Sequence, residues 1–578
     1  MAPQRLVLLY GIFASLAAST PQGIPSQEQY MRALNDSLGG RVHINEPFAK
    51  PCFSIYEGEH VGRDDDLCAE RQANYSSPTY RNQFPGAYMY EQSSICASDK
   101  TSADKCLLDN KNPSSASAFD NVNCKQGNVP SYYVEVREAN DAVQAFEYAR
   151  QSGCKLAIKN SGHSFMEDSS QKGALLLWTR NLRSLDHDEA FVPEGCSSDP
   201  FNAITTGAGV NCGEAYEFAD KNGVTILCGY SPTVGLSGGW VQNGGHSVLS
   251  NVYGLGADRV LQFTVVTPDG EVRVANKCQN SNLFWALRGG GGGTFGVVIN
   301  STHLVEPAMA LGVASIGVPK ADKEAVKGFM ELLVDTAVDL AEDGWGGHIY
   351  GNYFVHVTPK MTTQDAATKS LAKIVSYVEK HGGTANITVL PTWYSFFDKY
   401  VLSGAFAVGG LSILNTRLVP TDVFTNANLS TKYKSHLRDF VEGGGLPYVP
   451  VVSPYVYKGS REATSVQPAW YTSLWEYGNP AYWQWNSTFE ERIEIIKGMQ
   501  KQTDTIRELT PGGGAYKNEA NPFIADWKRE YFGNHYEELL KVKQSYDPKG
   551  LLKCWHCVGW TDEDVNDSCY KEFNNISV

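Results

Sequence analysis

His163, set between Gly162 and Ser164 in the run KNSGHSF, is the first candidate for chemistry in this chain. An imidazole in a glycine turn can serve as metal ligand, general base or nucleophile. Two glycine-dense runs follow it, SPTVGLSGGWVQNGGHS (Ser231 to Ser247) and GGGGGTFG (Gly289 to Gly296). Glycine at this density costs backbone entropy, so it needs a reason. Each run lies at one end of an expected strand, where backbone N–H groups can approach a diphosphate with no side chain between. No G-x-x-x-x-G-K-[ST] occurs, and GGGGGTFG precedes its clearest strand instead of following it, unlike a dinucleotide fingerprint. Basic residues are sparse around these turns, which leaves backbone amides to carry any diphosphate.

Other reactive side chains are weighed against this set. His246 has no second ligand at helical or Cys-x-x-Cys spacing, so no metal is expected. Cys554 to Cys557 reads CWHC, but Val558 follows where a haem motif needs histidine, and one Cys-x-x-Cys is a poor zinc site. Disulfides, with Cys569 as a candidate partner, are the better reading.

The elements that must position these residues start near residue 130. SYYVEV (131–136) alternates as a strand, and NDAVQAFEYARQSG follows as a helix capped by Asn140 or Asp141 and stopped by Gly153. KLAIKN is the next strand, so His163 begins where a β-α-β unit ends. GALLLWT, AITTGAG and GVTILCGY read as strands, and VLQFTVVTPDGEVRVAN as a hairpin turning at Asp269-Gly270. From about 307 the character changes. Residues 322–342 form a long amphipathic helix, GHIYGNYFVHVTP a strand, QDAATKSLAKIVSYVEKHGG a second long helix, and YFGNHYEELLKVKQSY a last one. Alternation along that strand puts His348, Tyr350, Asn352 and His356 on one face, with Phe354 among them, and Trp393 and Tyr394 are candidates for the same cavity.

With 578 residues, the chain is too long for one core. The expected division is a signal peptide at 1–19, a disulfide-rich segment at 20–125, a cofactor domain at 126–308, a substrate domain at 309–508 and a C-terminal segment at 509–578. A formal net charge of −14 disfavours nucleic acid and anionic membranes as partners. Arg5 followed by the apolar Leu6 to Ala18 is too short to span a bilayer and fits a secretory leader cut near Ala18 to Thr20. The 13 cysteines suit an oxidising compartment and leave at least one unpaired within the chain. Sequons start at Asn35, Asn74, Asn300, Asn386, Asn428, Asn486, Asn566 and Asn575, so N-glycans are expected on a secreted monomer.

KNSGHSF, SPTVGLSGGWVQNGGHS, YGLGADRVLQFTVVTPDG, LFWALRGGGGGTFGVV and YKNEAN…YFGNHYEELLKVKQSYDPKGLL stand here in one order. Together they resemble the FAD-linked oxidases of the vanillyl-alcohol oxidase superfamily, and more narrowly their secreted, fungal berberine-bridge-enzyme-like group. The resemblance covers roughly residues 45 to 570. It implies an α+β fold with a two-lobed FAD-binding domain and a substrate domain whose antiparallel sheet is covered by helices.

It also implies that His163 bonds covalently to the 8α-methyl of FAD, with Ser161, Gly162 and Ser164 beside it. Many relatives carry a second link from a cysteine at the head of C-P-T-V, where this chain has Ser231. A hydroxyl is a far weaker nucleophile than a thiolate, and Cys228 is a poor substitute, so a mono-covalent flavin is expected. Val234 matches a position that gates oxygen access. Thr233, Gly235, Gly238, Gly239, Gly244, His246, Asp258 and Val298 fall in segments that wrap the cofactor. Tyr516 and Asn518 match a tyrosine and an asparagine at the flavin, and Tyr516 could act as base if its pKa were lowered. His348 and Tyr350 are the other catalytic candidates. The implied activity is oxidation of an alcohol or carbohydrate-like substrate with O2 as acceptor and H2O2 as product. The alternatives are an oxidase or oxidative cyclase acting on an aromatic secondary metabolite, a dehydrogenase with another acceptor, and a non-catalytic glycoprotein on the same scaffold.

Overall fold

The computed structural model describes residues 27–100, 105–404, 407–574 and 576, so the leader expected at 1–19 lies outside the described residues. Three large sheets organise an α+β chain. The first runs in the order Val42–Ile44, Tyr132–Glu135, Leu175–Trp178, Leu156–Lys159. Its last three strands are parallel, as a β-α-β connection requires. The connecting helix, Ala139–Ser152, buries Ala142, Ala145, Phe146 and Ala149 on one face. Its N-cap is Glu138, not Asn140 or Asp141; Asp141 sits at the third helical position and completes a capping box. Gly153 ends it at φ 72°, a conformation glycine adopts without penalty.

The second sheet is antiparallel, in the order Val272–Asn276, Val260–Val266, Val297–Leu304, Phe201–Gly207, Leu185–Phe191. Its hairpin turns at Asp269-Gly270. The segment GVTILCGY is strand only at Val224–Thr225. Beyond that, Cys228 is tied to Cys212 and the Gly229 carbonyl accepts the Tyr216 hydroxyl at 3.0 Å, which draws the chain out of the ladder.

The third sheet has seven antiparallel strands, in the order Thr384–Leu390, Leu311–Gly317, Tyr353–Thr358, Gly346–Tyr350, Tyr448–Val451, Ser473–Gly478, Thr416–Pro420. One face packs Ile349, Phe354 and Trp475 against Phe329, Met330 and Leu333 of helix Lys323–Glu342 and Leu437 of helix Ala427–Glu442. The stretch 347–359, read from sequence as one strand, is a hairpin turned at Gly351 and Asn352. The turn breaks the alternation. His348 pairs with Val355 and Ile349 with Phe354, while His356 falls opposite Gly347. Phe354 and His356 therefore go to the helix side, their rings 4.3 Å apart, and leave His348 and Tyr350 on the other face. The second long helix is likewise two, Gln364–Ser370 and Ala372–Lys380, and the last is broken at Gly533 (φ 59°) into Trp527–Phe532 and Tyr536–Tyr546.

Disulfides join Cys52 to Cys68, Cys96 to Cys569, Cys106 to Cys124, Cys196 to Cys278, Cys212 to Cys228 and Cys554 to Cys557. CWHC thus closes on itself, and Cys569 reaches the N-terminal segment. Cys154 is free and buried. Among the described residues, no helix is long and apolar enough to cross a membrane.

The glycine turns are sterically required. Gly289 sits at φ +140°, and a Cβ there would overlap the Val466 amide. Gly289→Ala should lower stability by about 1–3 kcal/mol, the usual cost of overpacking, read as a drop in Tm. Gly498→Ala, on an exposed helix position with open space around it, should leave Tm unchanged or raised.

Candidate functional site

The three glycine turns meet at one cavity of about 1070 Å³. Ser161 to Ser164 form one edge, Ser231, Val234, Gly235, Gly238 and Gly239 the floor, and Gly292 and Gly293 the far side, with Val298 beneath. The floor is backbone against backbone: a Cβ on Gly292 would stand 2.7 Å from Gly239 Cα. Gly238 packs on Asn160 less tightly, its added Cβ 3.2 Å from the Asn160 Cβ. Three buried amide oxygens on this surface, Asn160 Oδ1, Gln242 Oε1 and Asn243 Oδ1, have no hydrogen-bond partner. Buried acceptors left open are costly. A bare glycine floor edged by unsatisfied acceptors fits a flat heterocycle with N–H groups at its rim, and a diphosphate fits the turns.

His163 is aimed into this cavity by Gly162, whose φ of +77° excludes most other residues. Its Nε2 lies 2.7 Å from Thr233 Oγ1. Burial, reinforced by the nearby Lys159, lowers its pKa to about 4. The ring is therefore neutral, and when Nε2 donates to Thr233 the lone pair lies on Nδ1. Ser231 lines the cavity, while Cys228 is consumed by its bond to Cys212.

Two residues from the segments expected to wrap the cofactor do not line this cavity. Gly244 packs against Val466, and Asp258 accepts the Leu255 amide and the Tyr471 hydroxyl, each at 2.8 Å. Both brace the floor from behind, and neither lines the cavity; nor does Thr233, which acts through His163.

The facing wall comes from the seven-stranded sheet and is aromatic. The His348 ring centre is 4.4 Å from that of Tyr230 and 5.8 Å from that of Tyr448, and Tyr350 is 5.8 Å from Tyr448. Burial lowers the His348 pKa to about 3 and raises those of Tyr350 and Tyr448. Tyr90 enters from the disulfide-rich segment, stacked on Phe165 at 3.7 Å. Trp393 and Tyr394 are not on this wall; Trp393 packs into the core against Tyr216 at 5.2 Å.

The C-terminal segment supplies Tyr516, Asn518 and Glu519. Asn518 Nδ2 donates to the Tyr516 hydroxyl at 2.7 Å, and Asn243 Nδ2 donates to Asn518 Oδ1 at 2.8 Å. The Tyr516 pKa is raised, not lowered, by burial first and by the Glu519 charge second. That removes the condition on which it could serve as base. His246 is not isolated either. Its Nε2 lies 3.0 Å from Glu519 Oε1 and 4.0 Å from Glu476 Oε2, so the fold assembles a three-residue cluster that sequence spacing does not reveal. Burial opposes the His246 charge, but Glu519 and Glu476 outweigh it and raise its pKa. Burial and the Glu519 charge raise Glu476 to about 8.

Tyr90, Tyr230, Tyr448 and Glu519, and the amide side chains Asn160, Gln242 and Asn243, are among the site residues the sequence reading missed. Glu519 was within reach, since it follows Asn518 directly. Tyr90 lies in a segment with no periodicity to orient it.

The raised Glu476 pKa has a thermodynamic consequence. Its protonated form is favoured by folding, so its contribution is present below the ordinary carboxyl value of 4.5 and lost as pH rises through about 8. The raised His246 acts in the same sense. Glu476→Gln keeps the neutral shape, so its Tm should fall less than that of the wild type from about pH 5 to pH 8, by a few °C. Parallel Tm profiles would contradict the assignment.

Comparison with known proteins agrees with this geometry. The FAD binding domain family matches residues 130–276, and the berberine and berberine-like family matches 515–556. The chain is 39% identical over 576 residues to the FAD-linked oxidoreductase ffsJ of Aspergillus flavipes, covering 93% of each chain. It is 31% identical over 550 residues to the bifunctional decalin synthase calF of Penicillium decumbens, covering 91% of this chain and 90% of that one. The crystal structure of the VAO-type flavoprotein MtVAO615 from Myceliophthora thermophila superposes with a TM-score of 0.81 at 28% identity, over 93% of this chain and 95% of that one. The chain is therefore an FAD-dependent oxidoreductase of the vanillyl-alcohol-oxidase superfamily, of its berberine-bridge-like branch.

Proposed function

We propose that the protein is a secreted oxidase that holds FAD covalently through His163 alone and acts on a hydroxyl-bearing aromatic or polycyclic small molecule. The observation that carries the substrate class is the wall facing the glycine floor, where Tyr230, Tyr350 and Tyr448 surround His348 and Tyr90 lines the same cavity. A sugar would need partners for several hydroxyls, whereas this surface offers ring faces with a few hydroxyls at their tips. That favours the secondary-metabolite reading over the carbohydrate one, in line with a relative named as a decalin synthase.

His163, Ser161, Gly162, Ser164, Ser231, Gly235, Gly238, Gly239, Val298 and Asn518 would hold the cofactor. FAD, when bound, accepts a hydride from carbon and passes the electrons to dioxygen, giving hydrogen peroxide. Neutral His163 keeps a nitrogen lone pair available for the single covalent link, and Ser231 supplies no thiolate for a second. Val234 presents a small aliphatic face at the floor, which leaves room for dioxygen. The aromatic wall orients the substrate and excludes water. Six disulfides support an oxidising destination, and the exposed sequons Asn386, Asn428 and Asn486 are the sites for glycans.

Two experiments test this reading. Acid precipitation of the wild type should leave flavin in the pellet, and His163→Ala should release it to the supernatant; soluble flavin from the wild type would refute the covalent link. A panel of benzylic alcohols, polycyclic alcohols and sugars, read by peroxide release, should give the highest kcat/KM among the first two groups. Preferential turnover of sugars would overturn the substrate assignment.

A further inference from the structure

A substrate hydroxyl that loses hydride from its carbon must also lose its proton, and the cavity limits where that proton can go. Tyr516 is poorly suited: Asn518 donates to its oxygen, and its own hydroxyl points to the Trp240 carbonyl at 3.5 Å. His163 is committed to Thr233, and His348, stacked among tyrosine rings, is made a weak proton acceptor by burial, which lowers its pKa to about 3. Two carboxylates line the cavity. Asp168 is taken by a buried ion pair with Lys517 at 2.7 Å. Glu519 remains. Its Oε1 is held by His246, while its buried Oε2 has no partner at all. Behind His246 stands Glu476, fully buried, with Thr416 donating to Oε1 at 2.6 Å and Oε2 unpartnered.

We infer that Glu519 is the catalytic base of this site, with His246 and Glu476 as positioning residues behind it. The inference rests on the function proposed above. The balance is simple. The substrate O–H bond breaks and its proton goes to the Glu519 carboxylate. The C–H bond breaks with its electron pair, which leaves as hydride to the flavin, the oxidant of this enzyme class, and a C=O bond forms. His246 fixes the carboxylate and balances its charge. Glu476, kept neutral by its burial, avoids a second anion beside the first. The other titratable groups facing the cluster are Tyr90, Tyr448, Tyr516 and His348, none of which offers an anion in its place.

The test uses the flavin-loaded holoprotein and the variants Glu519→Gln, Tyr516→Phe and His246→Gln. Flavin reduction by the best substrate is followed anaerobically across pH. Glu519→Gln should slow reduction by about 10²–10⁴-fold and abolish the acid limb of the profile, with Tyr516→Phe losing less than about tenfold. His246→Gln should fall between them and keep the acid limb. A Tyr516→Phe loss exceeding that of Glu519→Gln would overturn the inference. A second arm needs no turnover: binding of phenol, read by perturbation of the flavin absorbance. Glu519→Gln should weaken phenol at least tenfold and Tyr516→Phe by less than threefold; equal binding by Glu519→Gln and wild type would overturn the inference even if no panel compound reduced the flavin. A stoichiometric divalent metal in the purified protein, lost in Glu519→Gln, would also overturn it, since the cluster would then be a metal site.

Discussion

The contact on which the site depends is the approach of one glycine backbone to another, Gly239 against Gly292, with Gly289 pressed on Val466 behind them. These contacts leave no room for a methyl group. They fix two turns from distant parts of the chain at a spacing that only bare backbone can reach, and they produce a floor without side chains. The entropy lost by ordering so many glycines is offset by the packing behind them, where Leu236, Leu255 and Val466 belong to the largest buried cluster. A planar cofactor is the natural occupant of such a floor, because the amide oxygens left open at its rim are a cost to the empty protein that a ligand's N–H groups would remove.

Electrostatics then sort the walls. Burial keeps His163 and His348 neutral and suppresses ionisation of the tyrosines around them. In a low-dielectric space of this kind each remaining charge matters more than it would in water. The carboxylates at the cavity are paired: Asp168 with Lys517, and Glu519 with His246. The first pair is closed on itself and ties the turn after His163 to the C-terminal segment. The second lies beside a neutral acid and has an oxygen to spare. The structural pair and the chemical pair thus differ in whether an acceptor is left over.

The legible parts of the sequence were those with strong local signals. The helix at 139–152, the hairpin at Asp269-Gly270 and the three glycine turns follow from periodicity and turn chemistry, and the ordered motifs pointed to the family. The failures share a cause, which is that short-range patterns cannot report a change of direction. A two-residue turn at Gly351-Asn352 moved His356 to the helix side while His348 stayed at the cavity. Gly244 and Asp258 sit inside the glycine-rich motifs without lining the cavity. His246 looked isolated because its partners lie 230 and 273 residues away in sequence, on a sheet strand and in the C-terminal segment.

That last separation means the C-terminal segment must be held in place by distant parts of the chain. Tyr516, Asn518 and Glu519 occupy a short segment with a single 3-10 turn, Lys517–Glu519, and such a segment cannot hold its own geometry. It is clamped from several directions: by Lys517 to Asp168, by Asn518 to Asn243, by the buried Arg417 to Glu530 ion pair downstream, and by the Cys96 to Cys569 disulfide that anchors the chain beyond it. Removing one partner of a buried ion pair leaves a charge without compensation, a cost of about 3–5 kcal/mol that keeps such clamps closed. The N-terminal segment, which carries Tyr90 to the same cavity, is held by the same disulfide. The segments that carry Tyr90 and Glu519 are therefore both fastened by contacts outside the cavity, and the reactive carboxylate takes its position from those fastenings.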